Sequence, residues 1–189
     1  MQMLIGNVQA LLAVQGHGHR QGELAIAGAV AFAELAQIVF GKIHDAHADE
    51  RRPGEGVIVA VIDTGIDFTH PDLAANLWTN PGEIPWNYQD DEENGFPDDL
   101  LGWDFVDHHS NVRDGHGHGT HVAGTIAAVA DNALGIAGVA PWARLMTLRG
   151  LGDDGRGSSE ALAAGIVYAV DNGADILSKS WGGLFQSRS

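Results

Sequence analysis

The spacing of apolar positions changes character near residue 56, and the part after it is the more regular. Residues 57–62 read VIVAVI, an unbroken, mostly β-branched run of the kind buried on both faces of a parallel sheet. Shorter apolar runs at 103–106, 144–148 and 174–178 predict three more strands. Between them, Val122, Ile126 and Val129 recur at helical spacing and predict a helix over 118–130, which Gly119 and Gly124 weaken. A second helix opens at Ser158-Ser159-Glu160, runs to about Asn172 and stops at Gly173. Strands alternating with helices predict an α/β fold with a mostly parallel sheet and helices on both faces.

The segment before residue 56 follows no such alternation. Residues 24–40 are mostly apolar with one charge, Glu34, but seventeen residues fall short of the roughly twenty that cross a bilayer. An Ala-rich soluble helix is the expectation. No Lys or Arg precedes the apolar stretch at 3–14, so a signal peptide's charged start is missing. His17 and His19, in GHGHR, read as a loop, and 48–56 (ADERRPGEG) reads as a linker. The division is therefore a leader over 1–52 and a domain over 53–189.

Charge narrows the partners. At 189 residues and a net charge of −15, the chain can bury one core but lacks the clustered cations that phosphate binding needs. Neither nucleic acid nor a membrane is an expected partner. Between Pro53 and Val112 there are thirteen Asp and Glu and no Lys or Arg. With no cysteine, both disulfides and thiolate metal sites are excluded.

Two candidate chemistries remain. Asp63 directly follows VIVAVI, at the carboxyl end of a strand, where open α/β sheets gather their functional groups. His118 begins the first helix and can face the same crevice. A carboxylate beside an imidazole fixes its tautomer and stabilises it when protonated, which suits a base that activates a hydroxyl. The competing reading is zinc, held by His116, His118 and His121 in H-x-H-x-x-H spacing.

The blocks VIVAVIDTGIDFTHPDL, HGTHVAGTIAA, GVAPWARL and GADILSKSWGG, in that order, resemble the subtilases, the subtilisin-like serine proteases. The resemblance implies the subtilisin-like α/β fold, here truncated after about four strands, and a serine endopeptidase acting through an Asp-His-Ser triad. It makes Asp63 the orienting acid, His118 the general base and His121 a structural residue one helical turn on. It also implies a groove for an extended polypeptide, with Gly155, Arg156 and Gly157 on one edge and Ser180, Trp181 and Gly182 on the other. Strand addition explains the glycines, because a ligand backbone must come close. Zinc hydrolases with H-x-H-x-x-H place an aspartate before the last histidine, where this chain has Thr120.

Six carboxylates crowd residues 90–99, and Asp90, Glu92, Asn94 and Gly95 resemble the first half of an EF-hand loop. Similar insertions in subtilases bind calcium, so calcium is the expected structural cofactor, on Asp90, Glu92, Asn94, Asp98 and Asp99. A second site implied by the family would use Asp72 and Asn132. The family's nucleophile lies in a G-T-S-M-A-like block that this sequence does not contain, and its oxyanion asparagine should lie past the last residue. The expectation is a partial catalytic domain, inactive alone, with a sheet edge at 174–178 open to self-association. A noncatalytic calcium- or peptide-binding module is the alternative. Family resemblance implies secretion or another extracytoplasmic location.

Overall fold

The computed structural model describes residues 52–182 and the two-residue strand Leu12–Ala13. The expected helix at 24–40, the loop of His17 and His19, and the tail serines Ser187 and Ser189 lie outside the described residues. The strands are β1 (Leu12–Ala13), β2 (Ile58–Asp63), β3 (Gly102–Asp104), β4 (Arg144–Arg149) and β5 (Ile176–Lys179). Among the described residues, two α-helices, α1 (His118–Ala127) and α2 (Ser159–Asp171), join them, with one 3-10 turn at Ala74–Asn76. Among the described residues no helix is long and apolar enough to cross a membrane.

The sheet order is β1-β5-β2-β4-β3, with β2 to β5 mutually parallel and β1 antiparallel. The VIVAVI run explains the central place of β2. Val59 and Val61 pack on one face with Ala123 and Ala127 of α1. Ala60 and Ile62 pack on the other with Leu162, Tyr168 and Ala169 of α2. Both faces are thus covered, as the unbroken apolar run requires. The crossovers β3–α1–β4 and β4–α2–β5 run the same way across the sheet with their helices on opposite faces. They are therefore of opposite hand, and one is the rare left-handed kind.

Helix α1 is shorter than its apolar spacing suggests. Ala128 turns to ψ 140°, and the Val129 N–H goes to the Asp72 carbonyl instead of continuing the helix (2.9 Å). Helix α2 begins where the sequence places it, because the Ser158 hydroxyl accepts the Ala161 N–H at 3.0 Å. Phe96 packs edge-on against Trp103, Phe105 and Tyr168 at 5.0–5.9 Å, seating the acidic loop on β3 and α2.

Strand β5 is buried on both faces, through Ile176 and Leu177. Its outer edge is paired in part: Leu12 stands opposite Leu177 and Ala13 opposite Ile176. Two residues of the leader thus cover part of the edge that the sequence leaves open.

Candidate active site

Asp63 ends β2 with 1% exposure, and its Oδ1 lies 2.7 Å from His118 Nδ1. The same oxygen accepts the Thr64 N–H at 2.8 Å. A proton on Nδ1 is the arrangement that an ionised carboxylate favours, and it leaves Nε2 as the acceptor. The imidazole keeps 41% of its surface exposed, while its partner is sealed. A fixed base with an open face is what proton abstraction from a bound group requires.

The D-T-G turn and the start of α1 interlock to hold this contact. A side chain at Gly119 would place its Cβ 2.1 Å from the Gly65 carbonyl oxygen. The Thr64 hydroxyl accepts the Gly119 N–H at 3.0 Å and donates to Asp114 Oδ1 at 2.9 Å. Asp114 also accepts the backbone N–H groups of His116, Gly117 and Thr120, and the Thr120 hydroxyl at 2.5 Å. Burial pushes the Asp114 carboxyl upward, but the hydrogen bonds from Thr120, Gly117 and His116 outweigh it and hold it below the usual range. Sequence reading missed Asp114, because it stands three residues before the N-cap Gly117, outside the position where a capping side chain is read.

The other two histidines do not join a metal cage. His121 is exposed, and its carbonyl accepts the Thr125 hydroxyl within the helix (3.1 Å). The His116 ring is 6.3 Å from the His118 ring. Among the described residues, the groups whose donor atoms converge are Asp104–Asp107–His109 and Glu83–Glu92–Asp99. The first is occupied by Arg149, which donates to Asp104 and Asp107 at 2.5 and 2.8 Å and to Asp153 at 3.0 Å. Hydrogen bonding to Arg149 holds the Asp107 carboxyl low.

Both expected groove edges flank the end of β2. After β4, Gly152 donates to the Arg156 carbonyl (2.8 Å), and the exposed turn carries Gly155 at φ +73°. Gly157 lies against the Gly150 carbonyl, which a Cβ would meet at 2.0 Å. After β5 come Ser180, Trp181 and Gly182, and the Trp181 indole donates to the Ile62 carbonyl at 3.1 Å. Lys179 sits over that ring, 5.7 Å from its centre.

The acidic loop divides the expected calcium ligands. Glu92 and Asp99 converge with Glu83, which sequence reading did not include. Asp90 stands apart, accepting the N–H groups of Asn94 and Gly95 (2.9 and 2.6 Å), and Asp98 accepts that of Tyr88 (2.7 Å). Asn94 donates to Glu92 at 2.5 Å, and Asn80 to both Glu92 and Asp99 at 2.6 Å. Burial pushes both Glu83 and Asp99 above the usual carboxylate range, and neighbouring carboxylates add to it. Asp72 and Asn132 do meet, at 2.7 Å, but the Asn132 oxygen and the second Asp72 oxygen already accept the Leu134 and Ile136 N–H groups.

A sealed carboxylate beside an open imidazole, at the carboxyl ends of the strands of a parallel α/β sheet, is the acid–base arrangement that hydrolases use. The sequence pattern of the subtilase family matches residues 54–189, and the chain belongs to that family of subtilisin-like serine proteases. It is 40% identical over 142 residues to thermitase of Thermoactinomyces vulgaris, covering 75% of this chain and 43% of thermitase. Similarity to subtilisin BL of Lederbergia lenta is 42% over 129 residues, covering 68% and 38%. The thermophilic serine proteinase of Bacillus sp. (strain AK1) is 38% identical over 134 residues, covering 71% and 28%. The chain thus spans less than half the length of these relatives.

Proposed function

We propose that this chain carries the acid–base half of a serine endopeptidase centre, with Asp63 as orienting acid and His118 as general base. The 2.7 Å contact between a sealed carboxylate and an open imidazole carries the reading. In this role His118 Nε2 takes the proton of an attacking serine hydroxyl and returns it to the leaving amine, while Asp63 stabilises the imidazolium between the two steps. The substrate is an extended polypeptide held by main-chain hydrogen bonds along 155–157 and 180–182. None of Ser178, Ser180, Ser187 or Ser189 stands in a G-T-S-M-A-like block, so the nucleophile is not assigned among them. Fusing the chain to the part of thermitase beyond the matched segment is the test. Labelling of the fusion by a fluorophosphonate, lost in His118→Ala, is the expected result. Labelling indifferent to that change would sink the assignment.

Calcium is the proposed structural cofactor, held by Glu83, Glu92 and Asp99. The fit rests on the convergence of their oxygens, on the absence of Lys and Arg from 53–112, and on two buried carboxyls pushed upward by lost solvation. Asn80 and Asn94 turn their amide donors onto the same oxygens that a cation would take. A bound cation would neutralise the cluster and brace the loop against α2 through the Tyr168 hydroxyl, which donates to Asp99 at 2.5 Å. Calorimetric titration should find calcium binding that Glu83→Gln with Glu92→Gln abolishes and Asp90→Asn spares. The sign of the pH dependence follows. Carboxyls whose folded pKa is raised destabilise the metal-free fold at neutral pH. That penalty fades as pH falls through the raised values toward the unfolded range near about 4. Metal-free protein should therefore gain stability on mild acidification, and calcium should cancel the gain.

The far edge of β5 is proposed as a self-association surface, since among the described residues Leu12 and Ala13 pair with two of its four residues. Sedimentation should show a concentration-dependent rise in mass that Ala13→Pro strengthens; no such rise would remove the proposal. An extracytoplasmic location is supported by the calcium reading, because millimolar extracellular calcium satisfies weak sites. Protease shaving of intact cells tests it.

A further inference from the structure

A cavity of about 280 Å³ opens beside the start of β3, the outermost strand of the sheet. Among the described residues, none that lines it belongs to either expected groove edge or to the calcium cluster. Its volume is just under that of drug-sized ligand sites, so its occupant is small. Phe68, Leu100 and Val112 contribute apolar wall, and Trp86 stands beside them with its side chain mostly in water, at 80% exposure. Asp98 is the one charged group in the lining among the described residues. Trp86 and Asp98 both hold positive φ, at +65° and +55°. Residues other than glycine seldom adopt that conformation, and those that do collect at ligand sites.

The polar groups decide which ligand fits. Asp98 Oδ2 accepts the Tyr88 N–H at 2.7 Å, while Oδ1 is buried with no hydrogen-bond partner. Asn111 turns its side-chain oxygen to the Arg113 N–H at 3.3 Å. The carboxylate thus lacks a countercharge, while the acceptors of Asp98 and Asn111 are taken or sealed. No Lys or Arg occurs between Pro53 and Val112, and the Arg113 that follows is exposed, where water and salt screen it. A primary ammonium must satisfy three donors, for which Ser110 adds a single hydroxyl. A quaternary ammonium has no donor to satisfy. Its methyl groups suit apolar walls, and its charge is drawn to the face of an indole.

We propose that this cavity is a binding site for a small quaternary ammonium compound of the choline type. Asp98 supplies the countercharge and Trp86 the aromatic wall. The sealed position of Asp98 Oδ1 is no obstacle, because the attraction acts through space and needs no hydrogen bond. The site is independent of the acid–base pair and of the groove.

The test titrates the 189-residue chain with choline, with its uncharged carbon isostere dimethylbutanol and with ethanolamine, at matched ionic strength. NMR of the tryptophan indole protons follows binding. Choline should bind about fivefold more tightly than either control, the size of effect that a cation over an indole gives at a partly open site. That preference should vanish in Asp98→Asn, whose amide keeps an acceptor for Tyr88, and in Trp86→Leu, which keeps apolar area without the ring. It should persist in Glu160→Gln, which removes the same charge from the exposed face of α2. Equal binding of choline and dimethylbutanol would make the cavity merely apolar and overturn the proposal. Tighter binding of ethanolamine, a preference that survives Asp98→Asn or Trp86→Leu, or binding of none of the three would overturn it as well.

Discussion

A polypeptide of these 189 residues alone is expected to hydrolyse no peptide above background and to take no fluorophosphonate label. An Asp–His pair lowers no barrier by itself; it works by deprotonating a hydroxyl set against the scissile carbonyl. Ser178 is 7% exposed and pairs in register with Val61, two residues short of Asp63, so it is sealed within the sheet. Ser180 belongs to the proposed groove wall, where it would contact substrate backbone. In subtilisin, a relative in this family, loss of the serine alone costs about 10⁶ in turnover, and the remainder comes from binding and the oxyanion hole. A water molecule activated by His118 would face the same barrier with no assigned donor for the oxyanion. Mass spectrometry after probe treatment gives the decisive readout. A label on any serine, abolished by His118→Ala, would show that a local hydroxyl had been recruited.

The sequence carries the sheet more clearly than the site. VIVAVI can sit only where both faces are covered, and it became the central strand β2 between β4 and β5. The end of α1 was less legible. Val129 keeps the helical rhythm, yet its N–H is captured by the carbonyl of Asp72, a partner 57 positions away that no local pattern reveals. The acidic loop was less legible for a related reason. EF-hand spacing singles out Asp90, but that carboxylate is consumed by the turn it creates, at Asn94 and Gly95. Glu83 lies outside the acidic run, and positive φ at Trp86 and Tyr88 accompanies the fold-back that brings it to Asp99. Asp63 and His118 were legible because each stands at the end of an element, where the strand and helix patterns fix its position.

Gly119→Ala is expected to separate Asp63 from His118, and Gly124→Ala to do the reverse of harm. Both glycines lie in α1, and alanine is the better helix former by about 1 kcal/mol at either position. The surroundings decide the sign. Nothing stands within 4 Å of a Cβ built on Gly124, so that variant should keep the helical gain. A Cβ on Gly119 would lie 2.1 Å from the Gly65 carbonyl oxygen and 3.1 Å from the Asp63 Cβ, both on the element that α1 must touch. The oxygen is main chain and cannot rotate away, so the helix start or the D-T-G turn must move. Overpacking of this kind costs about 3 kcal/mol, which exceeds the helical gain. Movement would also lengthen the Gly119 N–H to Thr64 hydroxyl bond and the 2.7 Å Asp63–His118 contact, since both cross the same interface. Urea midpoints for the two variants should therefore shift in opposite directions, and the downfield His118 Nδ1 proton should weaken in Gly119→Ala alone. Equal shifts in both variants would mean that the interface yields freely, and that the glycine of H-G-T-H is not what keeps base and acid in contact.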